Sequence, residues 1–178
     1  GKLVQIRISS RAVTGEVDLG GQPDAVAISP DGQYLAVAIE NERDEDLGDG
    51  EPPQMPAGYV QIVEMATMTA TKVELTGLAG LVYVTDPEPE FVAINEDNLL
   101  VVTLQENNGI VMIDCATKQV VNSLSAGSVD LSHIDVDEEP PLISQTSSLA
   151  SVRIPAFYGG RCGRRLGGEG VPLRVSLR

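Results

Sequence analysis

The stretch Pro23-Asp24-Ala25-Val26-Ala27-Ile28, with Asp31 three residues on, returns 66 residues later as Pro89-Glu90-Phe91-Val92-Ala93-Ile94, with Asp97 in the same place. The likeness continues downstream in both copies. Leu35-Ala36-Val37-Ala38-Ile39-Glu40-Asn41 corresponds to Leu100-Val101-Val102-Thr103-Leu104-Gln105-Glu106. Tyr59-Val60-Gln61-Ile62-Val63-Glu64-Met65-Ala66-Thr67 corresponds to Gly109-Ile110-Val111-Met112-Ile113-Asp114-Cys115-Ala116-Thr117. Self-similarity of this kind sets the architecture, because each copy is one unit that buries its faces only against its neighbours. Each copy holds four short β-type runs in about 45 residues once the longer loop of the first copy is set aside, which is the size of a propeller blade.

Working outward, β-type runs occupy residues 3–8, 13–19, 25–29, 35–39, 59–65, 71–75, 91–94, 99–104, 110–113 and 119–124. Turn residues such as Pro30-Asp31-Gly32 and Asn107-Asn108-Gly109 separate them. No segment keeps a 3.6-residue apolar period with caps, so helices are expected to be few. Residues 3–19 fit the last two strands of a preceding blade. The predicted fold is all-β: a β-propeller fragment of about two and a half four-stranded blades over residues 1–144, with an irregular C-terminal tail over residues 145–178. Four to eight blades normally close such a ring, so apolar blade faces are expected at both ends, where the chain is prone to self-association.

Charge divides the chain in the same way. The formal net charge is −14, but residues 1–150 hold 6 basic against 25 acidic residues, and residues 151–178 hold 6 basic against 1 acidic. So acidic a body repels phosphate backbones, which argues against nucleic acid and anionic membrane surfaces as partners and favours cations or basic partners. No apolar run approaches a spanning helix, and the amino end lacks the basic and apolar segments of a leader. With no Trp and only two Phe, the core must come from Val, Ile, Leu and Ala, which suit pleated sheet. The tail segment Gly159-Gly160-Arg161-Cys162-Gly163-Arg164-Arg165-Leu166-Gly167-Gly168 has no alternation resembling a blade. It is read as disordered or translated out of frame, with a phosphate-contacting role disfavoured for want of a fold.

In an antiparallel four-stranded blade, the connection before the first strand and the connection between the second and third strands share one rim. Those connections hold Asp24, Glu40, Glu42, Asp44, Glu45, Asp46, Asp49 and Glu51 in the first copy, and Asp86, Glu88, Glu90 and Glu106 in the second. Like charges gathered this closely need a cation or strong hydration. The expected cation ligands are Glu40, Glu42, Asp44, Asp46, Asp49, Glu88, Glu90 and Glu106, and calcium suits them because it takes six to eight oxygens in adaptable geometry. An EF-hand is excluded: with Asp44 as its first position, Asp49 stands where the glycine is required and no Glu follows at the twelfth. A merely solvated acidic rim is the alternative. Arg43, the one base in this loop, either clamps a phosphate once cations offset the field or simply neutralises Glu42 or Asp44.

Several of these stretches carry a family resemblance. Residues 23–28, Ser29-Pro30-Asp31-Gly32, residues 36–40, Asn41-Glu42-Arg43-Asp44-Glu45-Asp46, Asp86-Pro87-Glu88-Pro89-Glu90-Phe91 and Leu104-Gln105-Glu106-Asn107-Asn108 resemble bacterial propellers known as phytase-like esterases, atypical alkaline phosphatases or choice-of-anchor I domain proteins. The resemblance covers residues 3–144. It implies an extracellular, periplasmic or cell-surface protein and a calcium-dependent phosphomonoesterase acting on a phosphate-ester substrate, a piece of which would itself be inactive. In that chemistry bound calcium would orient the ester and activate a water, with no protein nucleophile. The competing expectation is a non-enzymatic module that binds a protein or glycan through the same loops. His133 is the only histidine and is read as a rim residue. Cys115 takes the place of Met65 in the other copy and is read as a small core hydrophobe.

Overall fold

The computed structural model describes residues 1–128, apart from residues 43, 45, 49 and 51, together with the backbone of the strand Leu173–Leu177. Among the described residues, eleven strands run in the order β1 (Lys2–Arg7), β2 (Ala12–Asp18), β3 (Gln22–Ile28), β4 (Tyr34–Glu40), β5 (Tyr59–Glu64), β6 (Thr69–Glu74), β7 (Phe91–Ile94), β8 (Leu99–Leu104), β9 (Gly109–Asp114), β10 (Gln119–Ser125) and β11 (Leu173–Leu177). There is no helix among the described residues. Each of the ten runs read from the sequence coincides with one of β1 to β10. Within the stretch read as tail, the described piece is β11, which pairs antiparallel with β1. The boundary at residue 144 lies outside the described residues.

The strands form three antiparallel sheets, β3-β4-β5-β6, β7-β8-β9-β10 and the partial β11-β1-β2. The two complete sheets are the two sequence copies, and their registers agree at the equivalent pairs except past a bulge between Val120 and Asn122 in β10 that has no counterpart in β6. Ile28 faces Leu35 as Ile94 faces Leu100, and Leu35 faces Val63 as Leu100 faces Ile113. Thr69 faces Glu64 as Gln119 faces Asp114. Register is fixed this tightly because a one-residue slip would turn every apolar side chain to the wrong face.

The sheet β3–β6 is covered on both sides. One face, through Leu35, Val37, Ile39 and Val63, packs with Leu3 and Leu19 from the partial sheet. The other, through Ala36, Val60, Ile62 and Val73, packs with Leu100, Val102, Leu104, Val111 and Ile113 of β7–β10. Hence Leu35–Ile39 are all at most 1% exposed, and β4 reads as an unbroken apolar run instead of an alternating one. Each fully buried Leu, Ile or Val stabilises the fold by roughly 1.5–3 kcal/mol relative to exposure, so stacking of sheet on sheet is the main cohesive interaction. Tyr59 adds a polar tie, donating its hydroxyl to the Leu19 carbonyl at 2.7 Å.

Candidate functional site: an acidic rim

The meander places the connections 41–58, 75–90 and 105–108 at one rim and the turns 29–33, 65–68, 95–98 and 115–118 at the other. At the first rim, the start of β3 lies beside the end of β4, with Gln22 opposite Glu40 and an irregularity between Pro23 and Val26 that carries Asp24. Gln22 donates its side-chain amide to Glu42 at 3.2 Å. Gly58 brings this copy onto the next one: its N–H donates to the Pro87 carbonyl at 2.9 Å. A Cβ there would meet Pro87 O at 2.6 Å and Ile39 O at 2.8 Å, so only glycine permits this approach.

The segment 82–90 is held by one side chain. Asn107, fully buried, accepts from the Glu88 N–H at 2.8 Å through Oδ1. Its Nδ2 donates to the carbonyls of Asp86 at 2.9 Å, Val82 at 3.0 Å and Tyr83 at 3.3 Å. Asp86 and Glu88 are themselves 1% and 2% exposed. Asp86 Oδ2 accepts the Gln54 N–H at 2.6 Å from the other copy's loop, while its Oδ1 is buried with no hydrogen-bond partner among the described residues. Glu90 anchors the entry to β7, its N–H donating to the Thr103 carbonyl at 2.9 Å and its carboxylate accepting from the Gln105 amide.

These contacts gather carboxylates from four chain segments. Burial pushes the Glu40 carboxyl up to about 7, and Glu90, Asp24, Glu88 and Glu42 push in the same direction by like-charge repulsion. Glu90 is raised by burial first and then by Asp24 and Glu106, against the Gln105 hydrogen bond. Asp24 is raised by burial and by Glu42. So Glu40, Glu42, Glu88, Glu90 and Glu106 converge as the loop argument expects, joined by Asp24.

Of the remaining expected ligands, Asp44 and Asp46 stand apart from them. Asp44 and Asp46 form their own turn, with the Asp46 N–H donating to Asp44 Oδ1 at 3.0 Å and Gln54 bonding the Asp44 backbone. Neither enters the field acting on Glu40. Arg43, Asp49, Glu45, Glu51, His133 and Cys162 lie outside the described residues. Cys115 is the buried core residue expected, its thiol pushed up to about 11 by burial and by Asp114.

The donor chemistry, carboxylate oxygens on loops, is that of a hard divalent cation. Among the described residues, no three acidic, histidine or cysteine side chains form a group able to hold a metal ion.

The opposite rim carries more charge than its short turns suggest, but in satisfied form. Asp31 accepts from Ser29, from both the main chain and the side chain of Gln33, and from Asn98 of the next copy at 2.8 Å. These bonds, led by Asn98, lower its carboxyl to about 2. Lys118 bonds Glu64 across the two copies at 2.6 Å. Sequence reasoning missed Asn107, Gln54 and Asn98 as organisers; Asn107 stood in a turn signal, where an amide that ties a distant segment looks the same as one that shapes a local turn.

The family model of the choice-of-anchor I domain matches residues 73–157, which supports at a coarse level the resemblance read from the sequence. No curated protein matches the chain. Among solved structures, a chain of the hydrazine synthase of Kuenenia stuttgartiensis is similar with a TM-score of 0.50 and 17% identity, over 67% of this chain and 41% of that one. At that identity the likeness is one of fold, and this chain spans less than half of the other's length.

Proposed function

We propose that this chain is part of a cell-surface or secreted bacterial β-propeller module that binds a protein partner, and that the acidic rim is its binding face. The observation that carries this reading is the spread of the acids. Six carboxylates, Asp24, Glu40, Glu42, Glu88, Glu90 and Glu106, share one rim, where burial first and repulsion from Glu90, Asp24, Glu88 and Glu42 second raise Glu40 to about 7, and no three are grouped for a metal ion among the described residues. A diffuse negative field suits an extended basic segment, whose several charges spread over several carboxylates. Association through such a face is fast and weakens steeply with salt.

The resemblance to phytase-like and alkaline-phosphatase-like hydrolases supports the calcium-dependent reading only through its donor chemistry, so no hydrolytic step is derived through calcium. The deciding experiment has two arms. Fluorescence anisotropy of a labelled oligolysine peptide should show saturable binding that weakens with sodium chloride and with Glu40→Gln combined with Glu90→Gln. In parallel, p-nitrophenyl phosphate is incubated with the protein with and without calcium. Calcium-dependent phosphate release, together with no peptide binding, would replace this reading by the hydrolase.

A further inference from the structure

The rim opposite the acids holds a cavity of about 450 Å³, a volume within the usual range for small-molecule sites. It is lined by Gly32, Gln33 and Tyr34, where the chain enters β4, and by Glu64, Met65 and Ala66, where it leaves β5. The Met65 N–H donates to the Gln33 carbonyl at 2.9 Å and ties the two segments together. The equivalent residues of the next copy are different. Five residues join β3 to β4 but four join β7 to β8, and the register sets Leu99 in the place of Tyr34 and Asp114 in that of Glu64. The meander alone therefore does not dictate the chemistry of this lining.

Two polar groups of the lining have no hydrogen-bond partner among the described residues. One is the Tyr34 hydroxyl; the other is Glu64 Oε2, since Lys118 Nζ is bonded at 2.6 Å to Oε1 alone. A carboxylate oxygen can only accept, so it calls for a donor. Charge selects the donor further. Lys118 is already engaged by Glu64, while Asp31 and Asp114 stand close enough to act with it on neighbouring Cys115. Three carboxylates against one cation leave a negative field, which excludes an anion and favours an ammonium group. Met65, Ala66 and the Tyr34 ring offer apolar contact to the rest of such a molecule.

We propose that this cavity binds a small organic amine, its ammonium donating to Glu64 Oε2 and the Tyr34 hydroxyl and its apolar body lying against Met65 and Ala66. The site is separate from the acidic rim and does not depend on what that rim binds.

The test titrates phenethylamine into the isotope-labelled full chain and follows its amide chemical shifts. Saturable shifts should centre on the cavity residues 32–34 and 64–66. N-acetylphenethylamine, which keeps the body and loses the charge, should bind roughly tenfold more weakly or worse, as expected for loss of a hydrogen bond to a charged group. Glu64→Gln should weaken phenethylamine by a similar factor. Because that change also loosens the Lys118 contact, Ala66→Trp serves as a second variant: it fills the cavity from an exposed position and should abolish the shifts while the spectrum stays that of a folded chain. Absence of saturable shifts, equal binding of the acetylated compound, or binding that survives Ala66→Trp would overturn the proposal. Shifts centred on residues 40–42 and 86–90 would overturn it too, by assigning the amine to the acidic rim.

Discussion

Replacing Glu40 by Gln gives the sharpest test of the acidic rim, because it removes a charge and keeps the shape. In the folded chain the Glu40 carboxyl titrates at about 7, against an ordinary value of 4.5. Burial causes most of this, with repulsion from Glu90, Asp24, Glu88 and Glu42 adding to it. A carboxyl whose folded pKa is raised binds protons more readily folded than unfolded, so ionisation opposes folding. The penalty is absent below pH 4.5, grows as pH rises from 4.5 to 7, and is complete above that window. At about 1.4 kcal/mol per pKa unit the shift corresponds to about 3 kcal/mol. Solvent screening at a half-exposed rim reduces the expected effect to about 2 kcal/mol.

Glu40→Gln should therefore leave stability unchanged below pH 4.5 and raise it above pH 7. For a chain of this size about 2 kcal/mol corresponds to roughly 4–8 °C in Tm. Thermal unfolding followed by circular dichroism across that pH range measures it. The reasoning is refuted if the variant gains nothing above pH 7. A loss of stability there would mean that the Glu40 carboxylate is engaged by a cation, and added calcium that stabilises the natural protein and not the variant would identify it.

Other consequences follow from single contacts. Asn107→Ala deletes bonds to Val82, Tyr83, Asp86 and Glu88 and should cost about 2–4 kcal/mol in urea unfolding, since buried partners are left unsatisfied. Gly58→Ala forces a Cβ against Pro87 O and Ile39 O; the two copies must separate at the rim, and oligolysine binding should weaken along with stability. Cys115, fully buried with its thiol at about 11, should resist a thiol reagent at pH 9 in the native protein and react at once in denaturant.

Much of this fold is legible in the residues because each level repeats the same instruction. Period-two patterning, turn residues and the doubled motif all specify four-stranded meanders, and a duplicated sequence with a duplicated register leaves little freedom in stacking. Meander topology alone assigns the acid-bearing connections to one rim, so Glu40, Glu42, Glu88, Glu90 and Glu106 were within reach of sequence reasoning. What tertiary structure decided is spacing. Connectivity puts acids on the same side of a sheet, but the distances among them depend on how two sheets twist and how closely Gly58 and Pro87 approach. Distance determines whether carboxylates close on a single ion or spread their field along a rim, because ligation requires contact while repulsion acts over several ångströms. The buried amide of Asn107 belongs to the same class: its residue type marks a turn, and only the packed neighbour supplies the Val82, Tyr83 and Asp86 carbonyls and the Glu88 N–H that make it the organiser of the rim.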